Sequence, residues 1–205
     1  MRTKSLFHFT KTKEILYLIL ENGFWPRYCF EDISWVSDIN FCAYPMVCFC
    51  DIPLHKLDNH TNFYGSFGIG MNREWGINNG LNPLIYISEK SALSEAIYEL
   101  MANPHPENEY AKNFAMVTLG YTKKYSGNML NGTTTFEKNF YEECEWRFID
   151  ISQGVLFRDE IENTEDIEKQ NSKTKINSLA IQPEDIRYLL VEKQSDVSEL
   201  VDFIN

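Results

Sequence analysis

Apolar and polar side chains take turns in "SLFHFT" (5–10), the two-residue period of a half-buried strand, with Leu6, His8 and Thr10 on one face and Phe7 and Phe9 on the other. The period then lengthens. "KTKEILYLILENG" places Ile15, Leu18 and Ile19 at helical spacing, with Thr10 positioned to cap the helix and Gly23 to end it. Compact apolar runs at "MVCFCDI" (46–52, closed by Pro53), "FGIGM" (67–71) and "PLIYIS" (83–88) are short enough for strands. "SALSEAIYELMA" (91–102) has helix-forming composition behind a serine cap, and "NPHPENE" after it reads as a loop.

"EWRFIDI" (145–151) predicts one more strand. The stretch "RDEIENTEDIEKQNSKTK" (158–175) has little apolar area to offset the entropy of ordering, so it is expected to be a solvated, flexible excursion, with 159–175 the least ordered internal segment. "KINSLAI", "QPEDIRYLLVEK" and a short helix from Ser195 to Phe203 close the chain. Strands and helices mix without regular alternation, which predicts an α+β fold rather than a doubly wound sheet. A length of 205 residues predicts a single domain spanning 1–205.

Composition narrows the function classes. An apolar fraction of 43% with 14% aromatics supports a core and excludes a disordered chain. A net charge of -11 disfavours nucleic acid as the main partner, because phosphate backbones attract clustered Lys and Arg. Neither a signal-peptide core nor a membrane-spanning apolar run is legible, and five irregularly spaced cysteines fit reduced thiols, so the expected compartment is the cytoplasm.

Three places could carry chemistry. Taken as extended chain, 141–147 puts Glu143, Glu145 and Arg147 on one face, and two like charges there need a cation beyond what Arg147 supplies. His8 and Thr10 offer polar groups at a strand end. In "FYGSFGIG" (63–70), Tyr64 stands beside glycines that leave room for a flat ligand. Cys48, Cys50, His55 and His60 carry zinc-binding groups at an unfavourable spacing, and no metal is expected. Neither a Walker A sequence nor a G-x-S-x-G elbow occurs.

Together "LFHFT" with "ILENGF", "PMVCFCDIPL", "YGSFGIGMNREWG" and "FYEECEWRFI" resemble the AbiGi family, described as the antitoxin half of an abortive phage-infection system, over about positions 6–150. The first and last pieces are also similar to ADP-ribosyltransferase-like proteins of the DarT group. That second resemblance implies a central mixed or antiparallel sheet split around an NAD-type cleft with flanking helices, and NAD as substrate. It implies that His8 holds the adenine-side ribose and Thr10 the nicotinamide amide. Glu145 would stabilise the oxocarbenium-like charge as nicotinamide leaves, and Glu143 would prepare the acceptor. Tyr64 would stack on nicotinamide, with Tyr28 and Tyr86 as alternatives, and Arg27 and Arg147 would lie near the diphosphate.

Two functions follow from the resemblances. One is transfer of ADP-ribose from NAD to a macromolecular acceptor in phage defence. The other is a non-enzymatic antitoxin that binds a cognate, nucleotidyltransferase-like toxin.

Overall fold

The first alternating stretch does form a strand, β1 (Ser5–Thr10). Helix α1 (Lys13–Asn22) follows it, and Thr12, not Thr10, accepts the cap hydrogen bond, from the Ile15 amide at 3.4 Å. Thr10 instead ends β1 opposite Phe67, and its hydroxyl donates to the Thr12 carbonyl. The buried face of α1 is accordingly Leu16 and Ile19, one turn segment round from the exposed Ile15 and Leu18. The computed structural model describes residues 4–36, 40–57, 61, 63–102, 109–131, 134–157 and 164–205.

Next in chain order come β2 (Arg27–Asp32), β3 (Phe41–Cys50), β4 (Phe67–Asn72), α2 (Arg73–Asn78), β5 (Asn82–Pro83), β6 (Ile85–Ile87) and α3 (Ala92–Ala102). Helix α4 (Glu109–Gly120), β7 (Thr122–Lys124), the hairpin β8 (Ser126–Asn131) and β9 (Thr134–Asn139), β10 (Glu145–Ile149) and β11 (Leu156–Phe157) lead to α5 (Thr164–Thr174), β12 (Ile186–Leu190) and α6 (Gln194–Ile204). Among the described residues this is an α+β fold with six α-helices around an eight-stranded antiparallel sheet. The sheet runs β12-β4-β1-β3-β10-β5, with β2 and β11 also on β3. Parallel β6 and β7 and the hairpin β8–β9 stand apart from it.

β3 is the organising strand, nearly all buried, as ten residues rich in aromatic and β-favouring side chains permit. One of its edges pairs with β10 over Met46–Cys50 and with β11 at Cys42 and Ala43. Its other edge pairs with β2 over Phe41–Met46 and with β1 at the single pair Phe7 and Cys50. On that edge, between β2 and β1, Val47–Phe49 face no strand among the described residues, and the sheet gapes. The His8 ring lies against this gap. Its Nδ1 is 2.8 Å from the Cys48 carbonyl, and because a carbonyl only accepts, Nδ1 carries the hydrogen.

The gap divides the packing. On the His8 face, Leu6, Val47, Phe49, Ile69 and Met71 pack under Leu16, Ile19, Phe24 and Trp75. On the opposite face Tyr44, Met46 and Ile149 pack against Ile87, Ile97 and Leu119.

The charged excursion is corrected in part. Residues 158–163 lie outside the described residues, but 164–174 is a docked helix whose Asn171 and Thr174 are 1% and 0% exposed. Polar bonds rather than apolar area hold it. Trp25 Nε1 donates to the Asn171 carbonyl at 3.0 Å and to Thr174 Oγ1 at 2.9 Å, the Tyr28 amide donates to Asn171 Oδ1 at 2.8 Å, and the Thr174 hydroxyl donates to the Pro26 carbonyl.

A charge-balanced cleft as the candidate functional site

Cross-strand partners share a face, so Phe7, Cys50 and Glu145, aligned across three strands, project to one side of the sheet. Cys48 and Arg147, two residues along, project to the same side. His8 therefore points to the other. Both His8 and Glu145 border one cavity of about 230 Å³ at the gap, yet their side chains leave opposite faces and β3 stands between their strands. The two strands are thus not neighbours in the sheet, although both residues border the cavity. His8 is instead packed edge-on to Phe24, with ring centroids 5.2 Å apart, and against Phe49 at 5.5 Å.

The run 141–147 is not extended throughout. Phe140–Glu143 is a 3₁₀ turn, and Cys144 follows at φ 45°, a left-handed conformation that costs a non-glycine residue about 1–2 kcal/mol. The reversal has a use. It brings the Glu143 and Glu145 carboxylates onto one ammonium, Lys123 of β7, at 2.7 and 2.9 Å.

Around them the charges cancel. Glu143 also accepts from Lys138 at 2.5 Å and from the Tyr64 hydroxyl at 2.5 Å. Glu145 accepts from Arg147 Nε at 2.6 Å and Nη2 at 3.2 Å, while Arg147 donates further to Glu31 at 2.8 Å and to the Gly120 carbonyl at 2.9 Å. Three carboxylates thus meet three cations. Arg147 is 0% exposed, Glu143 4% and Glu145 8%, so separation from water is what makes the matching necessary.

Burial alone would raise the Glu145 pKa, but Arg147 and Lys123 more than offset it and hold the carboxyl far below the usual range. Glu143 is held low by the same contest, with Lys123 the leading opposing charge. Burial opposes charge on Lys123, and Glu145 and Glu143 override it, raising its pKa well above normal. Burial and the Glu143 charge raise the Tyr64 phenol. Burial lowers His8, with the bond to Cys48 working against that.

The signs of these shifts predict a two-stage loss of stability in acid. A depressed folded pKa means that the unfolded chain binds the proton first, so the stabilisation is complete above the unfolded value and lost as pH falls below it. His8 should begin the loss below its ordinary 6.5, and Glu143 and Glu145 should continue it below 4.5. Urea midpoints between pH 7.5 and 3 should fall in both ranges. His8→Phe should flatten the first range alone, and a midpoint that does not change from pH 7.5 to 3 would refute the assignment.

The other expected site residues scatter. Arg27 pairs with Glu168 at the surface and lies over the Trp25 ring at 4.7 Å, and it does not border the cavity. Arg147 is enclosed in the ion network. Thr10 serves the turn before α1. Of the three tyrosines, Tyr64 borders the cavity, Tyr86 accepts the Glu145 amide at 2.8 Å, and Tyr28 donates to the Gln153 carbonyl at 3.0 Å elsewhere.

The glycines near Tyr64 make room for the chain itself. A Cβ on Gly65, at φ 115°, would sit 2.0 Å from the Thr10 carbonyl oxygen, and one on Gly70 would meet the Phe7 ring at 2.8 Å. Cys48 and Cys50 are core thiols whose pKa burial raises, and His60 lies outside the described residues. Among the described residues no cluster of three metal-binding side chains forms. Lys123 and Lys138 escaped the sequence reading, since nothing near either position marks it as the counter-ion of a glutamate up to 22 residues away.

The fold and its internally neutralised cleft are those of a phage-resistance family by sequence: the chain belongs to the AbiGi family, its residues 22–192 matching the family described as "Putative abortive phage resistance protein AbiGi, antitoxin". It is similar to the abortive phage resistance protein AbiGi of Lactococcus lactis subsp. cremoris, 28% identical over 217 residues that cover 89% of this chain and 87% of that protein. No solved structure matches. Neither the family nor this relative is described as an ADP-ribosyltransferase. Among the described residues no helix is long and apolar enough to cross a membrane.

Proposed function

We propose that the protein is the antitoxin of an abortive-infection pair and neutralises its partner toxin by protein–protein contact. The observation that carries this reading is the family match across 22–192, whose description includes the word antitoxin. The cleft supports it. Glu145, the residue an NAD-consuming enzyme would need for a developing positive charge, has its oxygens on Arg147 and Lys123, an arrangement suited to holding β10 in place.

One observation favours a second reading, ADP-ribosyl transfer from NAD through an ADP-ribosyltransferase-like fold: Tyr64, Glu143 and Glu145 border one cavity. Turnover would require the Glu145 carboxylate to leave at least one of its cations.

Two measurements separate the readings. Co-expression with the neighbouring gene's product should restore growth that this product alone arrests, and the two proteins should co-purify at fixed stoichiometry. A calorimetric NAD titration with a nicotinamide-release assay should give neither heat nor nicotinamide. Turnover that disappears in Glu145→Gln while NAD affinity stays would replace the antitoxin reading with the enzymatic one.

A further inference from the structure

Three tyrosines from separate elements converge outside the cleft. Tyr141 and Tyr125 stack with centroids 5.5 Å apart and ring planes 20° from parallel, and Tyr86 meets Tyr141 edge-on at 5.4 Å. Backbone bonds fix them: the Tyr141 amide donates to the Tyr125 carbonyl at 3.2 Å, and the Tyr125 amide to the Ile87 carbonyl at 2.8 Å. The Tyr86 hydroxyl is held by the Glu145 amide. Although so well positioned, Tyr125 is 45% and Tyr141 54% exposed. Rigid tyrosines with open ring surface are the residues that dominate protein interfaces, because they bury much area while losing little side-chain freedom.

The surroundings select the visitor. Beside Tyr125 lies a polar concavity of about 550 Å³ bordered by Glu89, Glu137, Asp32, Lys90 and Lys124. Lys124 is held by Asp32 at 2.9 Å, and Glu142, next to Tyr141, is exposed. The chain as a whole carries -11. Aromatic faces next to carboxylates suit a planar cation, and the guanidinium group stacks on rings while bonding carboxylates, as an ammonium cannot do in one geometry. A nucleobase would stack on the same rings, but its phosphates would meet the acidic surroundings.

We infer that the Tyr86–Tyr125–Tyr141 face is a docking surface for an arginine-bearing segment of a partner protein. The inference rests on the antitoxin reading and names the chemistry of the toxin surface that this reading requires. The cluster faces outward and is held by main-chain bonds.

The test uses the full-length protein and two labelled peptides of equal length and charge, one alternating arginine with glycine and the other lysine with glycine, followed by fluorescence anisotropy. The arginine peptide should bind at least about tenfold tighter, and Tyr125→Ala with Tyr141→Ala should weaken it by about tenfold or more while far-UV circular dichroism is retained. Glu89→Lys with Glu137→Lys, which leaves the rings in place, should weaken both peptides. Equal binding of the two peptides, or indifference to the tyrosine substitutions, would overturn the inference; so would a single-stranded oligonucleotide that binds tighter than the arginine peptide. Co-purification of the toxin keeps this separate from the antitoxin reading. A toxin complex that survives both tyrosine substitutions removes this surface alone, whereas the absence of any toxin complex with the unsubstituted protein removes the reading beneath it.

Discussion

Arg147→Met is expected to cost about 3–5 kcal/mol of folding stability, since it leaves Glu145 and Glu31 facing one another in a site shielded from water with one shared cation gone. The guanidinium is fully buried and donates to two carboxylates and the Gly120 carbonyl, so methionine restores volume without restoring any of those bonds. Urea unfolding monitored by tryptophan fluorescence should show the midpoint falling with little change in slope. A second substitution, Glu145→Gln, should recover part of the loss by removing the stranded charge. Arg27→Met provides the contrast, because its pair with Glu168 is solvent-exposed and should contribute less than about 1 kcal/mol. Equal costs at the two positions would show that the cleft network is open to water and contributes as surface pairs do.

Phe24→Ala should be comparably severe, at about 3–5 kcal/mol, for a different reason. The ring is 1% exposed and lies 4.9 Å from Phe49, 5.2 Å from His8 and 5.4 Å from Trp75, at angles that present ring edges to ring faces or nearly so. Its backbone exchanges hydrogen bonds with Leu179, which fixes where the chain leaves α1 and limits how far the surroundings can collapse into the vacated volume. The substitution also removes a wall of the His8 site. Its acid sensitivity between pH 7 and 5 should therefore diminish together with its midpoint. A loss below about 1.5 kcal/mol would mean that the aromatic cluster repacks freely.

Local pattern was enough for β1, the α+β class, the helix at 91–102 and the strand beginning at Glu145, because each is encoded by periodicity within its own residues. The site was legible only in pieces. Glu143 and Glu145 stand out as two like charges on one face and Tyr64 by its neighbouring glycines, and the structure groups them around one cavity. What decides their character comes from elsewhere in the chain: Lys123 and Lys138 arrive on β7 and β9, and Glu31 on β2. That His8 and Glu145 leave opposite faces is not legible in sequence, because face assignment across a sheet depends on the intervening strand and its register, which no local pattern contains. The helix at 164–174 was missed because its attachment is made by Asn171 and Thr174, whose value depends on Trp25 and Tyr28 about 145 residues away. The helix at Glu109–Gly120 has no strong amphipathic stripe to reveal it.

The equal numbers of acidic and basic groups in the cleft also shape how the molecule meets others. Because that cluster sums to zero, the entire charge of -11 is carried by the remaining residues, most of them at the solvent boundary. The anionic field therefore extends outward, reaching about one Debye length, roughly 8 Å at physiological ionic strength. A basic partner would be drawn in and turned before contact, so its capture rate should exceed that of a neutral one and decline as salt is added, whereas the ion pairs inside the cleft are shielded from that salt.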